Sequence, residues 1–225
     1  MSNESALGGD IRSNPGGLMA VWSVENSRDA IFDAMLRKEV YATSGPRIML
    51  RFYGGWALGE GICDDPNLVE KGYKKGVPMG ADLSAAPEGA KPSFVVLSAK
   101  DSQSLPLQRA QIIKGWVTQD GVLQERVLDV AGNKDNGATV DLSTCKSSGE
   151  GADTLCAVWT DNDFDPSQRA FYYARVVENP RCRHSTRICN NLSPEERPEA
   201  CESSFVKKSI QERAWSSPIW YSPTN

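Results

Sequence analysis

After residue 46 the sequence is a succession of short strand-like segments separated by turns, and this pattern constrains the fold more than any other feature. Asp120-Gly121 and Asn136-Gly137 mark tight turns, because glycine readily adopts the positive φ that such turns require. The candidate strands are 47–54, 93–99, 108–118, 121–130, 138–142, 154–160, 169–178 and 217–221. Strands at this spacing are typical of an antiparallel sandwich or barrel, so we predict a mainly β, sandwich-like domain over residues 47–225.

Two parts of the chain depart from the strand pattern. Residues 1–46 read as a lead-in with a short buried strand near 18–22, followed by one helix over about 26–38 that Asn26 or Ser27 caps. Residues 179–213 have prolines, charges and three cysteines without periodicity, which predicts a long loop held by disulfides. The helix is predicted from one apolar stripe, formed by Ile31, Phe32, Met35 and Leu36.

Composition excludes several classes of function. The net charge of -4 and pI near 5.2 provide no basic field for nucleic acid. The longest apolar runs are far shorter than the ~20 residues of a membrane-spanning helix. A single histidine rules out sites built from several histidines, and no glycine-rich phosphate-binding motif is present. We therefore expect no catalytic residues and no cofactor in this chain by itself.

The chain has six cysteines, which is many for a reduced cytosolic protein and indicates an oxidising compartment. Cys145 and Cys156 bracket a ten-residue polar excursion between two strand candidates, so we predict a disulfide between them. The pairing of the others stays open; these are Cys63, Cys182, Cys189 and Cys201. The N-terminal residues lack the basic and apolar regions of a signal peptide. We therefore expect that Met1 is not the biological start and that the chain belongs to a longer exported protein.

Three groups of residues could bind a ligand. Asp161, Asp163 and Asp165 have the spacing found at the start of a calcium-binding loop, but the later glycine and glutamate of an EF-hand are missing. Clustered aromatic residues, including Trp56, could stack on sugar rings, although a buried core is the commoner fate of such residues. A zinc site is disfavoured by irregular ligand spacing; its four residues would be Cys182, His184, Cys189 and Cys201.

Five long, colinear blocks carry a family resemblance. They read GGLMAVWSVENSRDAIFDAMLRKEVYATSGPRI, PLQRAQIIKGWV, ERVLDVAG, LCAVWTDNDFDPSQRAFYYARVVENPRC and IQERAWSSPIWY. Together they resemble the C-terminal portion of the domain-of-unknown-function family 3604. The resemblance covers nearly the whole chain. It implies an exported bacterial relative of the polymerase-and-histidinol-phosphatase (PHP) metallohydrolases, whose metal site lies in an α/β barrel N-terminal to this region.

The resemblance also implies an origin for each part of the chain. Residues 25–45 match the piece that closes such a barrel, so residues 1–46 would hold a barrel remnant and the rest would form a β-rich appendage. The H-x-H and S-D-x-H motifs of the family are absent, so no metal ligand is carried onto this sequence. A divalent metal is expected only in the full-length parent, whose barrel is the expected partner and whose location would be periplasmic or extracellular. The oligomeric state stays open.

From these observations we expect a noncatalytic accessory region of a PHP-like metal-dependent hydrolase of unknown substrate. Residues 41–47 leave the barrel and would lie closest to the parent's active site, with Arg47 the best candidate for contacting an oxyanion. The contact candidates are Tyr41, Thr43, Ser44 and Arg47. The alternative is an independent β-sandwich module that binds a glycan or calcium. A third hypothesis, a buttress for the barrel, predicts an exposed apolar patch around Ile31, Phe32 and Leu36.

Overall fold

The computed structural model describes residues 16–223, so the lead-in predicted before residue 16 lies outside the described residues. The described chain is dominated by strands, and three α-helices accompany them. The helices are α1 (Arg28–Leu36), α2 (Leu68–Lys75) and α3 (His184–Asn191). The strands are β1 (Leu18–Val21), β2 (Val40–Thr43), β3 (Met49–Gly55), β4 (Val77–Pro78), β5 (Ser93–Ala99), β6 (Leu107–Val117), β7 (Leu123–Gly132), β8 (Thr139–Val140), β9 (Ser147–Ser148), β10 (Thr154–Thr160), β11 (Ala170–Glu178), β12 (Arg181–Cys182), β13 (Ser209–Ile210), β14 (Arg213–Ser216) and β15 (Ile219–Tyr221).

Two antiparallel sheets form the body of the protein. The first has the order β1-β2-β14-β11-β6-β7, with β15 paired to the first half of β11, and the second has the order β10-β5-β3-β4. Their inner faces share one apolar core, in which Phe52 and Phe94 of the second sheet lie with Ile112 and Tyr172 of the first. The Phe94 and Tyr172 rings stack at 4.1 Å between centroids. The prediction of a mainly β, antiparallel, sandwich-like fold is confirmed.

The outer faces of the two sheets differ in their cover. A 3-10 helix (Glu60–Asp64) and α2 pack on the second sheet, where Ile62 and Leu68 bury Tyr53 and Val95. On the first sheet, by contrast, the outward side chains of β11, β14 and β15 remain partly exposed; they include Phe171, Tyr173, Arg175, Trp215 and Trp220. The first sheet therefore presents an aromatic face to solvent.

The strand pairing follows the local signals in the sequence. β6 and β7 form the predicted hairpin around Gly121, whose φ is 79°, and residues 118–122 make the connection. Gly137, with a φ of 73°, lies in the second predicted turn. β11 lies between β14 and β6, so its predicted central position is also confirmed. β1 is a strand as predicted, but it lies at the sheet edge and leaves Leu18 and Met19 exposed instead of burying them.

The prediction of a single helix is wrong. α1 is shorter than predicted and begins after Ser27, whose hydroxyl accepts the Ala30 N–H. α2 escaped prediction because Gly72 in its interior lowers helix propensity. That glycine is required by packing, since a Cβ on Gly72 would lie 2.8 Å from the Tyr53 ring. α3 lies inside the segment 179–213, which was predicted to be a loop.

The predicted Cys145–Cys156 disulfide is also wrong. The three bridges are Cys63–Cys156, Cys145–Cys182 and Cys189–Cys201. Cys156 lies in β10 and faces the outer side of the second sheet, where the 3-10 helix carries Cys63. Cys145 instead lies at the tip of the separate β8–β9 ribbon, which packs beside β12 and its Cys182. The 189–201 bridge holds the segment 179–213 as predicted for a disulfide-bound loop.

Candidate functional site

A charged groove of about 320 Å³ opens at one end of the sandwich. Strands β2, β5 and β11 end there, and β6 and β14 begin there. Side chains from four separate segments of the chain therefore meet in the groove. The side chains that determine its charge are those of Asp101, Arg181, Arg187 and Glu212, and the side chains of Ser44, Ser104 and His184 lie among them.

Glu178 lies directly behind this groove at the end of β11 and is fully buried. Its Oε2 accepts the Ser104 hydroxyl at 2.8 Å, and the Ser104 Oγ in turn accepts Arg181 Nη1 at 3.0 Å. Its Oε1 has no hydrogen-bond partner within residues 16–223. A buried carboxyl group with one unbonded oxygen is uncommon, so it requires an explanation.

Burial raises the pKa of Glu178 to about 7, because the ionised form loses its hydration. The hydrogen bond from Ser104 and the charge of Arg181 act in the opposite direction, whereas Glu212 and Asp101 add to the rise. The carboxyl group can therefore take up or release a proton near neutral pH, and Ser104 connects it to the groove. Perturbed groups of this kind in a cleft are candidates for functional residues.

Ser44 joins the two walls of the groove. Its hydroxyl donates to Glu212 Oε2 at 2.5 Å and accepts the Arg213 N–H at 2.9 Å. The Ser44 N–H also donates to the Arg213 carbonyl, which extends the pairing of β2 with β14 by one residue. These bonds fix the position of Ser44 at the groove.

The other three predicted contact residues have different surroundings. Tyr41 and Thr43 are buried in the sandwich, with Tyr41 stacked on Trp22 at 6.1 Å. Arg47 is exposed, and its backbone N–H donates to Asp101 Oδ2 at 2.7 Å. That bond, with one from the Gln103 N–H, lowers the pKa of Asp101 below its ordinary range. Ser44 and Arg47 therefore remain as candidates for contact with a substrate.

In the described part of the chain, the acidic residues and cysteines of the two candidate metal sites have other partners. Asp161 is buried and bound by Lys114 at 2.5 Å and by the Tyr172 hydroxyl at 2.7 Å. Asp163 pairs with Arg126, and Asp165 accepts the Ser167 hydroxyl, so the three carboxylates do not converge on one point. The cysteines of the zinc candidate are all in disulfides. Between residues 16 and 223 no cluster of three or more histidine, cysteine or acidic residues could hold a metal ion.

Several of the aromatic residues that were glycan candidates belong to the core, whereas Phe171, Tyr173, Trp215 and Trp220 lie on the outer face of the first sheet. Phe52 and Tyr53 are buried. Trp56 packs against Phe164 and Tyr221, and its Nε1 donates to Ser84 Oγ at 3.0 Å. Trp56 is therefore a structural residue and cannot serve as an open platform for a sugar.

Sequence reasoning missed Glu178, Glu212, Asp101 and Ser104. One signal was present in the sequence, since Glu178 ends a run of apolar and aromatic residues in which a charge is expected to be buried. The others follow from long-range pairing, because Ser44 and Glu212 are 168 residues apart in the chain. No pattern of spacing within a single segment could have indicated that contact.

Comparison with known proteins gives one result. A family model described as a protein of unknown function, DUF3604, matches residues 3–223. No curated protein and no solved structure matches the chain. The three disulfides are consistent with an extracellular or periplasmic location. None of the helices within residues 16–223 has the length and apolar character needed to cross a membrane. Since the match spans almost the whole sequence, the chain belongs to the DUF3604 family.

Proposed function

We propose that this chain is a noncatalytic accessory region of a PHP-like metal-dependent hydrolase, and that it packs against the α/β barrel that carries the metal. Membership of DUF3604 supports the proposal through the family's resemblance to exported PHP relatives. The substrate is unknown. In this arrangement the barrel provides the divalent metal and its ligands, and the β-sandwich contributes one wall of the cleft.

The exposed apolar surface of α1 carries the proposal. Ala34 is the one residue of this nine-residue helix that is buried, whereas Phe32 is 54% and Leu36 63% exposed, and Met35 is exposed as well. The apolar patch expected of a barrel buttress is thus present at Phe32 and Leu36. A helix this short is not stable through its own hydrogen bonds, and apolar stripes of this kind normally pack against another element. An exposed patch of large apolar side chains indicates an interaction site.

Few residues of the chain separate the exposed apolar surface of α1 from the charged groove. Residues 37–43 connect α1 to Ser44, and even a fully extended segment of this length spans only about 25 Å. A barrel that covers α1 would therefore lie near Ser44 and Arg47. The Arg47 side chain is exposed and its guanidinium can bind an oxyanion in a planar, two-pronged geometry. The nearby Glu178 can exchange a proton at neutral pH.

The test combines this chain with a separately produced histidine-rich barrel domain of a DUF3604 protein. We expect a stable complex in size-exclusion chromatography, and we expect Phe32→Gln with Leu36→Gln to abolish it without unfolding the chain. Leu123→Gln is the matched control, because Leu123 is equally apolar and 80% exposed but lies on a different surface. If the double variant binds as well as the wild type, α1 is not the docking surface.

Turnover by the complex provides a second test. With divalent metal and a general phosphoesterase substrate, Arg47→Ala should lower turnover while leaving the melting temperature of the chain nearly unchanged. Unchanged turnover would exclude Arg47 from the active site. The DNA upstream of the codon for Met1 provides a third, independent test. An in-frame stop with no H-x-H coding segment nearby would refute the origin in a longer hydrolase.

A further inference from the structure

We propose that a second groove, at the opposite end of the sandwich, binds a glycan. It has a volume of about 540 Å³ and lies where β6 and β15 end and β7 and β11 begin. The nine residues of β11 separate it from the charged groove by about 30 Å. The proposal concerns this chain alone, and it does not depend on docking to a barrel.

Aromatic side chains form the floor of this groove. The Phe171 ring lies on the backbone of Gly115, where a Cβ would be only 2.3 Å from the ring. Trp220 lies beside Phe171, with 5.3 Å between the ring centroids and an angle of 49° between the planes. Trp220 is 42% exposed, and Leu123 extends the apolar surface on β7. The absence of a side chain at Gly115 thus creates a recessed aromatic platform.

Polar side chains surround the platform, and they have no partners of their own. Glu125 and Arg169 are exposed, and within residues 16–223 neither side chain makes a hydrogen bond or an ion pair. The indole N–H of Trp220 is unbonded as well, in contrast to that of Trp56, which donates to Ser84. The groove therefore combines an apolar floor with unpaired donors and an unpaired acceptor at its rim.

This combination fits a sugar better than other ligands. A pyranose ring presents an apolar C–H face, which packs on aromatic rings, and hydroxyl groups at its edge, which both donate and accept. A purely apolar ligand would leave the rim groups unused. The groove is recessed, as small-ligand sites are, whereas protein interfaces of standard size are far larger. One arginine beside one glutamate also gives no basic surface for nucleic acid.

Isothermal titration of the chain with soluble oligosaccharides tests the proposal. The panel comprises oligomers of glucose, xylose, mannose, galactose, N-acetylglucosamine and uronic acids. We expect binding of at least one member at millimolar affinity or better, and Trp220→Ala should weaken it about tenfold or more. Arg169→Ala should weaken it less, because it removes a rim contact and leaves the platform intact.

Phe205→Ala is the matched control, since Phe205 is 79% exposed but lies in the distant segment 179–213. It should bind like the wild type. Circular dichroism on each variant verifies that the fold is retained. The proposal is overturned if no member of the panel binds, or if Trp220→Ala binds as tightly as the wild type. Because no barrel is present, a negative result here leaves the docking proposal unaffected, and the reverse is also true.

Discussion

Replacing Glu178 by glutamine should remove a pH dependence of stability that the wild-type chain shows between pH 4.5 and about 8. In the folded state burial raises the pKa of Glu178 from an ordinary 4.5 to about 7. The unfolded chain ionises near 4.5, whereas the folded chain keeps the proton until about 7. The stabilisation linked to the protonated carboxyl is therefore complete below pH 4.5 and is lost as pH rises through 7.

The magnitude follows from the two pKa values. Each pKa unit corresponds to about 1.4 kcal/mol, so the free energy of unfolding should fall by about 3 kcal/mol between pH 4.5 and 8. Several aspartates have lowered pKa values, among them Asp101, Asp163 and Asp165. Their contributions have the opposite sign and are lost only below about pH 4, outside this window. The fall above pH 4.5 can therefore be assigned to Glu178.

Urea denaturation at a series of pH values measures this dependence. Glu178→Gln cannot ionise, so its curve should be nearly flat where the wild-type curve falls. Ser104→Ala removes the hydrogen bond that opposes the rise in the pKa of Glu178, so the fall should extend to higher pH and become larger. Glu88→Gln, an exposed matched control, should follow the wild type. Parallel curves for the wild type and Glu178→Gln would refute the assignment of a raised pKa to this residue.

Two further predictions concern the stability of the sandwich. Asp161→Ala should destabilise the protein by about 3–5 kcal/mol, because it removes the carboxylate that pairs with the buried ammonium of Lys114. Asp163→Ala breaks an exposed pair, so it should change the free energy of unfolding far less in the same urea titration. Removing the Cys63–Cys156 bridge by double serine substitution should lower the free energy of unfolding by about 4–5 kcal/mol, because the bridge closes a loop with a sequence separation of 93. Calorimetry on the variant, with the other two bridges intact, measures this loss.

The sequence predicts the sheets better than the helices, and the reason is the range of the interactions involved. β5 and β10 have the predicted bounds, 93–99 and 154–160, because alternation and flanking turns are local properties. α2 depends on a distant contact, since Gly72 lowers helix propensity and is required only because the Tyr53 ring lies against it. Helix propensity, which is a local property, therefore disfavours the glycine that packing against Tyr53 requires.

The charged groove illustrates the same limit for a functional site. Ser44 was selected as a contact candidate for the parent's active site because it follows the helix, and in the structure it lines the groove. Glu178 ends β11 and Glu212 directly precedes β14, so the two meet only because β14 pairs with β11. They reach Ser44 because β14 also pairs with β2. The order of strands in a sheet is not encoded in the spacing of residues along one segment. A site at the end of a sandwich therefore becomes visible only when the topology is known.

The cysteines show how much a strand pattern can still determine. The short loop between Cys145 and Cys156 suggested a hairpin bridge, but alternation within β10 argues otherwise. Leu155 points into the core between the sheets, so its neighbour Cys156 must point to the opposite face. Any partner of Cys156 must then come from a segment that covers that outer face. The 3-10 helix containing Cys63 is such a segment, and its bridge holds the cover on the sheet. The facing of a strand thus decides the pairing, and the length of the intervening loop does not.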